Sequence, residues 1–300
     1  MKRIIPGLAV FMALTFMPSA FAFAEKAKAV PALEKAVLAA PTIADAFSGE
    51  RLTYKIGFMF FDEVGEGTVS FKKEADGTYT GTLEAHTTGT VKRIILDRSD
   101  RYVSRMKLSS DGQRLVTESF EEFVTMRGKV RKKKRVLDYA NTRMTWTSWD
   151  KKGAESTGEE SYPGTVTPSD PIAAFYNFRF GAYGAVERGR EYVLHSMPKN
   201  GKVPTITIRI ATSEEVGKRH GRYKGAMEFM ADARIDKDLF GSSTGDLELY
   251  FTGEMTPVFV VAKDLIFFGD VRGSLKSSRM AIGADRGQAL ASDGAGSIVP

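Results

Sequence analysis

The chain has 300 residues, with 43 lysines and arginines against 37 aspartates and glutamates, a formal charge of +6 at neutral pH and no cysteine. Without cysteine there is no disulfide, no acylated lipoprotein cysteine and no thiolate metal site. At this length, with 42% hydrophobic residues, an apolar core can hold the fold unaided.

Residues 1–24, MKRIIPGLAVFMALTFMPSAFAFA, open with Lys2 and Arg3, run apolar to Met17 and end on the small-residue pattern Ala22-Phe23-Ala24. This is the layout of a cleaved secretory signal; the apolar run is short for a membrane anchor, which needs roughly 20 residues. The expected address is the periplasm, and removing Lys2 and Arg3 lowers the charge from +6 to +4. No later stretch is apolar enough to span a membrane as a helix. Residues 25–46, rich in alanine and carrying Pro31 and Pro41, read as a flexible leader. Residues 47–280 are expected to form a single antiparallel β domain, and 281–300, small and polar, a disordered tail.

Within 47–280 apolar residues recur with period two, the signature of half-buried strands. In RLTYKIGFMFF, Leu52, Tyr54, Ile56, Phe58 and Phe60 share a face; in TITIRI, Ile206, Ile208 and Ile210 do. TVSFKK, TYTGTLEA, RYVSRMKL, TRMTWTSW, REYVLHS, DLELYF and PVFVVA read the same way. Asp76-Gly77, Asp111-Gly112 and Asn200-Gly201 supply tight turns, and Gly65 with Gly67 marks another. Ten or more hairpin-linked strands predict a large antiparallel sheet curled into a half-barrel or barrel, or split into a sandwich. PSDPIAAFYNFRF (168–180) breaks the pattern. Asp170 is a helix cap, Pro171 fits the first turn, and Ile172, Phe175, Tyr176 and Arg179 recur at helical spacing, which predicts a short aromatic helix at the mouth of the sheet.

RGKVRKKKR (127–135) holds seven cations in nine positions. A hairpin turning at Arg127-Gly128 sets Glu121 and Glu122 roughly opposite Lys133 to Arg135, so that the charges partly neutralise one another. From Arg131 through Lys132, Lys133 and Lys134 to Arg135 both strand faces are basic, which predicts a solvated edge hairpin or a contact to an anionic envelope surface. Export and the lack of stacking aromatics inside the run argue against nucleic acid.

Chemistry-bearing patterns are sparse. His86, His195 and His220 are isolated, so no metal site is expected. GSSTG (241–245) matches G-x-S-x-G but precedes the strand DLELYF rather than a helix, which makes it a loop. Glu121-Glu122 and Glu159-Glu160 lie in polar runs; a glycosidase-like pair would have to be assembled by the fold. No catalytic residue and no cofactor is assigned.

Three segments carry a family resemblance: GERLTYKIGFMFFDEVGEGTVSF (49–71), DPIAAFYNFRF (170–180) and GEMTPVFVVAKDLIFFGDVRGSL (253–275). In this order they resemble the bacterial exported family catalogued as domain of unknown function 3108. The matched positions are Gly49, Glu50, Leu52 and Tyr54, then Asp170, Tyr176 and Arg179, then Pro257, Val258, Gly273 and Leu275. The resemblance implies an exported β-rich envelope protein and names no reaction. By analogy with periplasmic lipid carriers, the sheet would enclose an acyl chain or another hydrophobic envelope molecule lined by Phe58, Phe60, Phe175, Tyr176 and Phe178, with Phe61, Phe267 and Phe268 adding apolar bulk. The alternatives are a packed-core envelope adaptor and an envelope glycan or lipid hydrolase. The oligomeric state is left open.

Overall fold

The computed structural model describes residues 41–280 apart from 59, 90–96, 220–222, 224, 238–241 and 267–268. The expected signal, most of the leader and the tail lie outside the described residues. The leader ends earlier than expected. Thr42 caps helix α1 (Ile43–Phe47) through a reciprocal bond with Asp45, and Ile43, Ala44 and Phe47 are buried. The apolar spacing Ile43, Ala44, Phe47 is that of one helical face, which the prolines and alanines around it obscure.

The strands are β1 (Arg51–Phe58), β2 (Phe61–Lys73), β3 (Tyr79–Thr87), β4 (Arg98–Leu108), β5 (Leu115–Met126), β6 (Lys129–Asp138), β7 (Arg143–Trp149) and β8 (Glu155–Ser161), followed by β9 (Glu191–His195), β10 (Thr205–Ile210), β11 (Phe229–Arg234), β12 (Asp246–Phe251), β13 (Pro257–Ile266) and β14 (Gly269–Arg279). They form one 14-stranded antiparallel sheet in the order β8-β7-β6-β5-β4-β3-β2-β1-β14-β13-β12-β11-β10-β9. Two meanders meet where β1 pairs with β14, and the edges are β8 and β9. The Asp76-Gly77, Asp111-Gly112 and Asn200-Gly201 turns fall between strands as expected. Gly65 and Gly67 do not: both lie inside β2, and the reversal comes at Phe58–Phe61, where a register shift follows Ile56.

Laid flat at about 4.8 Å per strand, such a sheet would be roughly 60 Å wide. Instead its ends touch. Glu160 on β8 accepts backbone N–H bonds from Asn200 (3.0 Å) and Gly201 (2.8 Å) in the β9–β10 turn, and Ser169 bridges to Ser196. Among the described residues no ladder joins β8 to β9, so the curl stops short of a closed barrel.

Helix α2 (Pro171–Phe180) lies on the inner face of that curl. Ile172, Ala173 and Tyr176 join the core of the β1–β8 wing together with α1, while Ala174 and Phe178 join the core of the other wing. A helix that serves two walls is apolar nearly all round. It approaches β3 closely at Gly81, where a Cβ would stand 2.5 Å from Cγ2 of Ile172. The outer face of the β9–β14 wing carries a third cluster that includes Met230, Tyr250 and Phe259, against which Val216 of helix α3 (Ser213–Arg219) packs.

Asp170 caps α2 as expected, and does more. Fully buried, its carboxylate accepts from Ile172 N (2.8 Å), Ala173 N (3.1 Å), Ser104 Oγ (2.6 Å) and Thr117 Oγ1 (2.5 Å), which ties the helix start to β4 and β5. Burial pushes its pKa up, and the four donors oppose that. Asp170→Ala is expected to destabilise the fold by at least about 3 kcal/mol in urea unfolding, more than a simple cap, because buried donors lose their acceptor. Gly81→Ala is expected to cost about 1–3 kcal/mol by forcing Ile172 off β3, read from the same unfolding curves.

Candidate functional site

The β5–β6 hairpin turns at Arg127 (φ 50°) and Gly128 (φ 72°), the left-handed pair of a two-residue hairpin loop. Glu121 faces Lys134 and Glu122 faces Lys133 across the ladder, as the charge pattern predicts. The hairpin is not at the edge, however. β7 and β8 lie beyond β6, so the basic strand is an interior one. Its cations tolerate this because neighbouring strands supply carboxylates and aromatic faces.

Strand alternation divides the run. Lys132 and Lys134 point outward, where both pair with Glu121 (3.6 and 3.1 Å) and the Lys132 ammonium stands over Phe123 (5.0 Å) and Trp149 (4.8 Å). Arg131, Lys133 and Arg135 point inward with Glu122 and Val124 and form one wall of a cleft of about 320 Å³. Ser196–Asn200 and Asp236 make the opposite wall. Arg135 forms an ion pair with the buried Glu122, and Lys199 pairs with Asp236 at 2.9 Å. The Lys133 ammonium stands over Trp146 (5.1 Å), whose indole lies across Gly158 of β8, where a Cβ would be 2.5 Å from the ring. Partial burial, then the neighbouring Arg135, pushes the Lys133 pKa down.

Antiparallel order also gathers hairpin tips at one end of the sheet, because β1, β5 and β7 run in the same direction. There Met126 and Val130 are exposed beside Arg127, Lys129, Lys151 and Lys152. Acids share this end: Asp150 accepts from the backbone of Lys152 and Ala154, Glu155 accepts from Trp149 Nε1, and Asp62 and Glu63 stand exposed beside Phe61. At the same end Phe60 (78% exposed) and Phe61 (42%) project from the β1–β2 turn.

The five residues expected to line a hydrophobic pocket do not converge. Phe60 is in solvent, since the chain reverses before it can continue the inward face of β1, and Phe58 is half-buried. Tyr176 packs against Phe71 (4.8 Å), Phe47 and Phe175 (both 5.1 Å), and Phe178 packs against Tyr192 (5.5 Å) and Phe251 (6.2 Å) in the other wing. Half-buried Phe175 flanks the Arg179 guanidinium at 5.0 Å. Phe267 and Phe268 lie outside the described residues. The adjacent carboxylates are split too: Glu121 points out and Glu122 in, while Glu160 binds backbone amides.

Four of the eleven positions named for the resemblance, Glu50, Tyr54, Arg179 and Pro257, make buried polar contacts near the C-terminal end of α2. Arg179 makes two 2.7 Å bonds to Glu50 and donates to Met255 O (2.8 Å), and Tyr54 donates to Pro257 O (2.9 Å). Burial raises the Tyr54 phenol well above its usual pKa. The described residues contain no cluster of three or more His, Cys, Asp or Glu fit to hold a metal, and no helix long and apolar enough to cross a membrane.

No family model matches the chain, and no curated protein matches it. Among solved structures, a DUF1089 family protein from Pseudomonas aeruginosa overlaps 64% of this chain and 87% of its own, at 11% identity and a TM-score of 0.27. A superposition this loose carries no functional argument.

Sequence reasoning missed Trp146, Lys199, Asp236 and the tip cations Lys151 and Lys152. Strand parity read through Glu122 and Lys133 marks the inner face, but the loop opposite it has no local signal. Arg135→Gln is expected to cost about 3 kcal/mol, because it strands the buried Glu122 carboxylate. Lys134→Gln should cost under about 1 kcal/mol, since its ion pair is solvated; chemical denaturation of the two variants checks the difference.

Proposed function

We propose that the protein is an exported, periplasmic, non-enzymatic binding protein of the cell envelope that docks on an anionic lipid surface through one end of its sheet. The observation that carries this reading is the grouping at that end of exposed Phe60, Phe61, Met126 and Val130 with exposed Arg127, Lys129, Lys151 and Lys152. Apolar tips beside cations suit the boundary between headgroups and acyl chains. Each basic residue near an anionic surface contributes about 1 kcal/mol, and burying a phenylalanine about 1.5–3 kcal/mol. The signal-like N-terminus and the resemblance to the domain of unknown function 3108 family support the envelope address. Around α2 the interior is occupied by its own rings, which favours docking by the outer surface over enclosure of an acyl chain.

The chain from Glu25 onward is expected to co-sediment with phosphatidylglycerol vesicles, to leave phosphatidylcholine vesicles unbound and to be released by salt. Replacing Lys129, Lys151 and Lys152 together by Gln should weaken binding about a hundredfold. Equal binding to neutral vesicles, or full binding by the triple variant, would refute the docking surface.

A further inference from the structure

We propose that the inner cleft beside β6 is a binding site for a phosphate-class oxyanion, held by Arg131 and Lys133. It is separate from the docking surface and does not rest on it.

The argument starts from which charges are already matched. The cleft walls carry four cations, Arg131, Lys133, Arg135 and Lys199. Arg135 is matched by Glu122 and Lys199 by Asp236. The third wall carboxylate, Glu160, takes the amides of Asn200 and Gly201. Among the described residues neither the exposed Arg131 nor the half-buried Lys133 forms a close ion pair with a carboxylate, although Glu122 lies across the ladder from Lys133 and already pairs with Arg135. Both project from β6 into the same space, two residues apart, so their Cα atoms are about 6.6 Å apart and their long side chains can meet on one small anion. Against the three wall carboxylates the four cations leave a net charge of +1, because the amides on Glu160 are neutral, and that surplus suits an anion. A guanidinium fork beside an ammonium suits the several oxygens of a phosphate.

The site is also held in place. Trp146, seated on Gly158, supports the Lys133 ammonium from below. Partial burial, then the neighbouring Arg135, pushes the Lys133 pKa down, and Glu122 and Asp236 offset this only in part. An incoming oxyanion would offset the remainder. The volume of about 320 Å³ and the charged lining fit a phosphate with a few carbons attached, not an acyl chain. Such a phosphate has two sources with the same chemistry: a phospholipid headgroup or free phosphate.

Isothermal titration of the protein with inorganic phosphate and with glycerol 3-phosphate, at low ionic strength, tests the site. Saturable 1:1 binding of at least one probe is expected. Lys133→Gln and Arg131→Gln should each weaken it by about tenfold or more, the loss of one charged hydrogen bond. Lys134→Gln, next in sequence but on the outer face, should stay within about twofold, because its ammonium points away from the cleft and pairs with Glu121. Tighter binding of glycerol 3-phosphate would point to a headgroup, and equal or weaker binding to free phosphate. Two results would overturn the proposal: no saturable binding of either probe by the unaltered protein, or equal losses in folded Lys133→Gln and Lys134→Gln, which would reduce the effect to general surface charge.

Discussion

The buried ion pair between Glu50 and Arg179 is the contact on which the rest of the architecture depends. Both side chains are 2% exposed. Burying two charges costs several kcal/mol each unless geometry and further hydrogen bonds compensate. Here three of the guanidinium's five N–H groups are engaged, two by the carboxylate and one by Met255 O, and the rings of Phe47 and Phe175 stand at 4.6 and 5.0 Å. The pair joins three distant places, the entry to β1, the last turn of α2 and the β12–β13 turn. Asp170 does the same at the other end of the helix, binding β4 and β5. The helix is thus tied at its start to the β1–β8 wing and at its end to Glu50 before β1 and to the β12–β13 turn.

The curl in turn creates the two surfaces with functional interest. Bringing the edges together places Ser196–Asn200 and Asp236 opposite the inward residues of β6, and that juxtaposition is the cleft. The meander places hairpin tips at one end, and their composition differs from the turns at the other, such as Glu74–Thr78 and Ser109–Arg114, which are polar. The proposed anion site inside and the proposed docking surface at the rim thus draw on neighbouring stretches of the same two hairpins, separated by strand parity.

Much of this was legible locally. Period-two patterning reported the strands, and Asp170 with Pro171 reported the start of α2. The register of the basic hairpin followed from its turn and its glutamates. Other readings failed where burial depends on distant chain. Gly65 and Gly67 look like a turn, yet they sit in a long strand whose reversal is made by phenylalanines. The aromatic residues of α2 look like a ligand lining, yet they face rings contributed by Phe71, Tyr192 and Phe251.

By itself the sequence determined most of the strands, the start of α2 and the charge of the β5–β6 hairpin, because propensity, turn chemistry and charge are local properties of side chains. Only the tertiary structure decided that the basic strand is interior, that Arg131 and Lys133 face a cleft while Lys132 and Lys134 face solvent, and that Glu50 meets Arg179. Those outcomes depend on which strands lie beyond β6 and on how the two edges approach, and pairing over such sequence distances leaves no mark in the periodicity of any one segment.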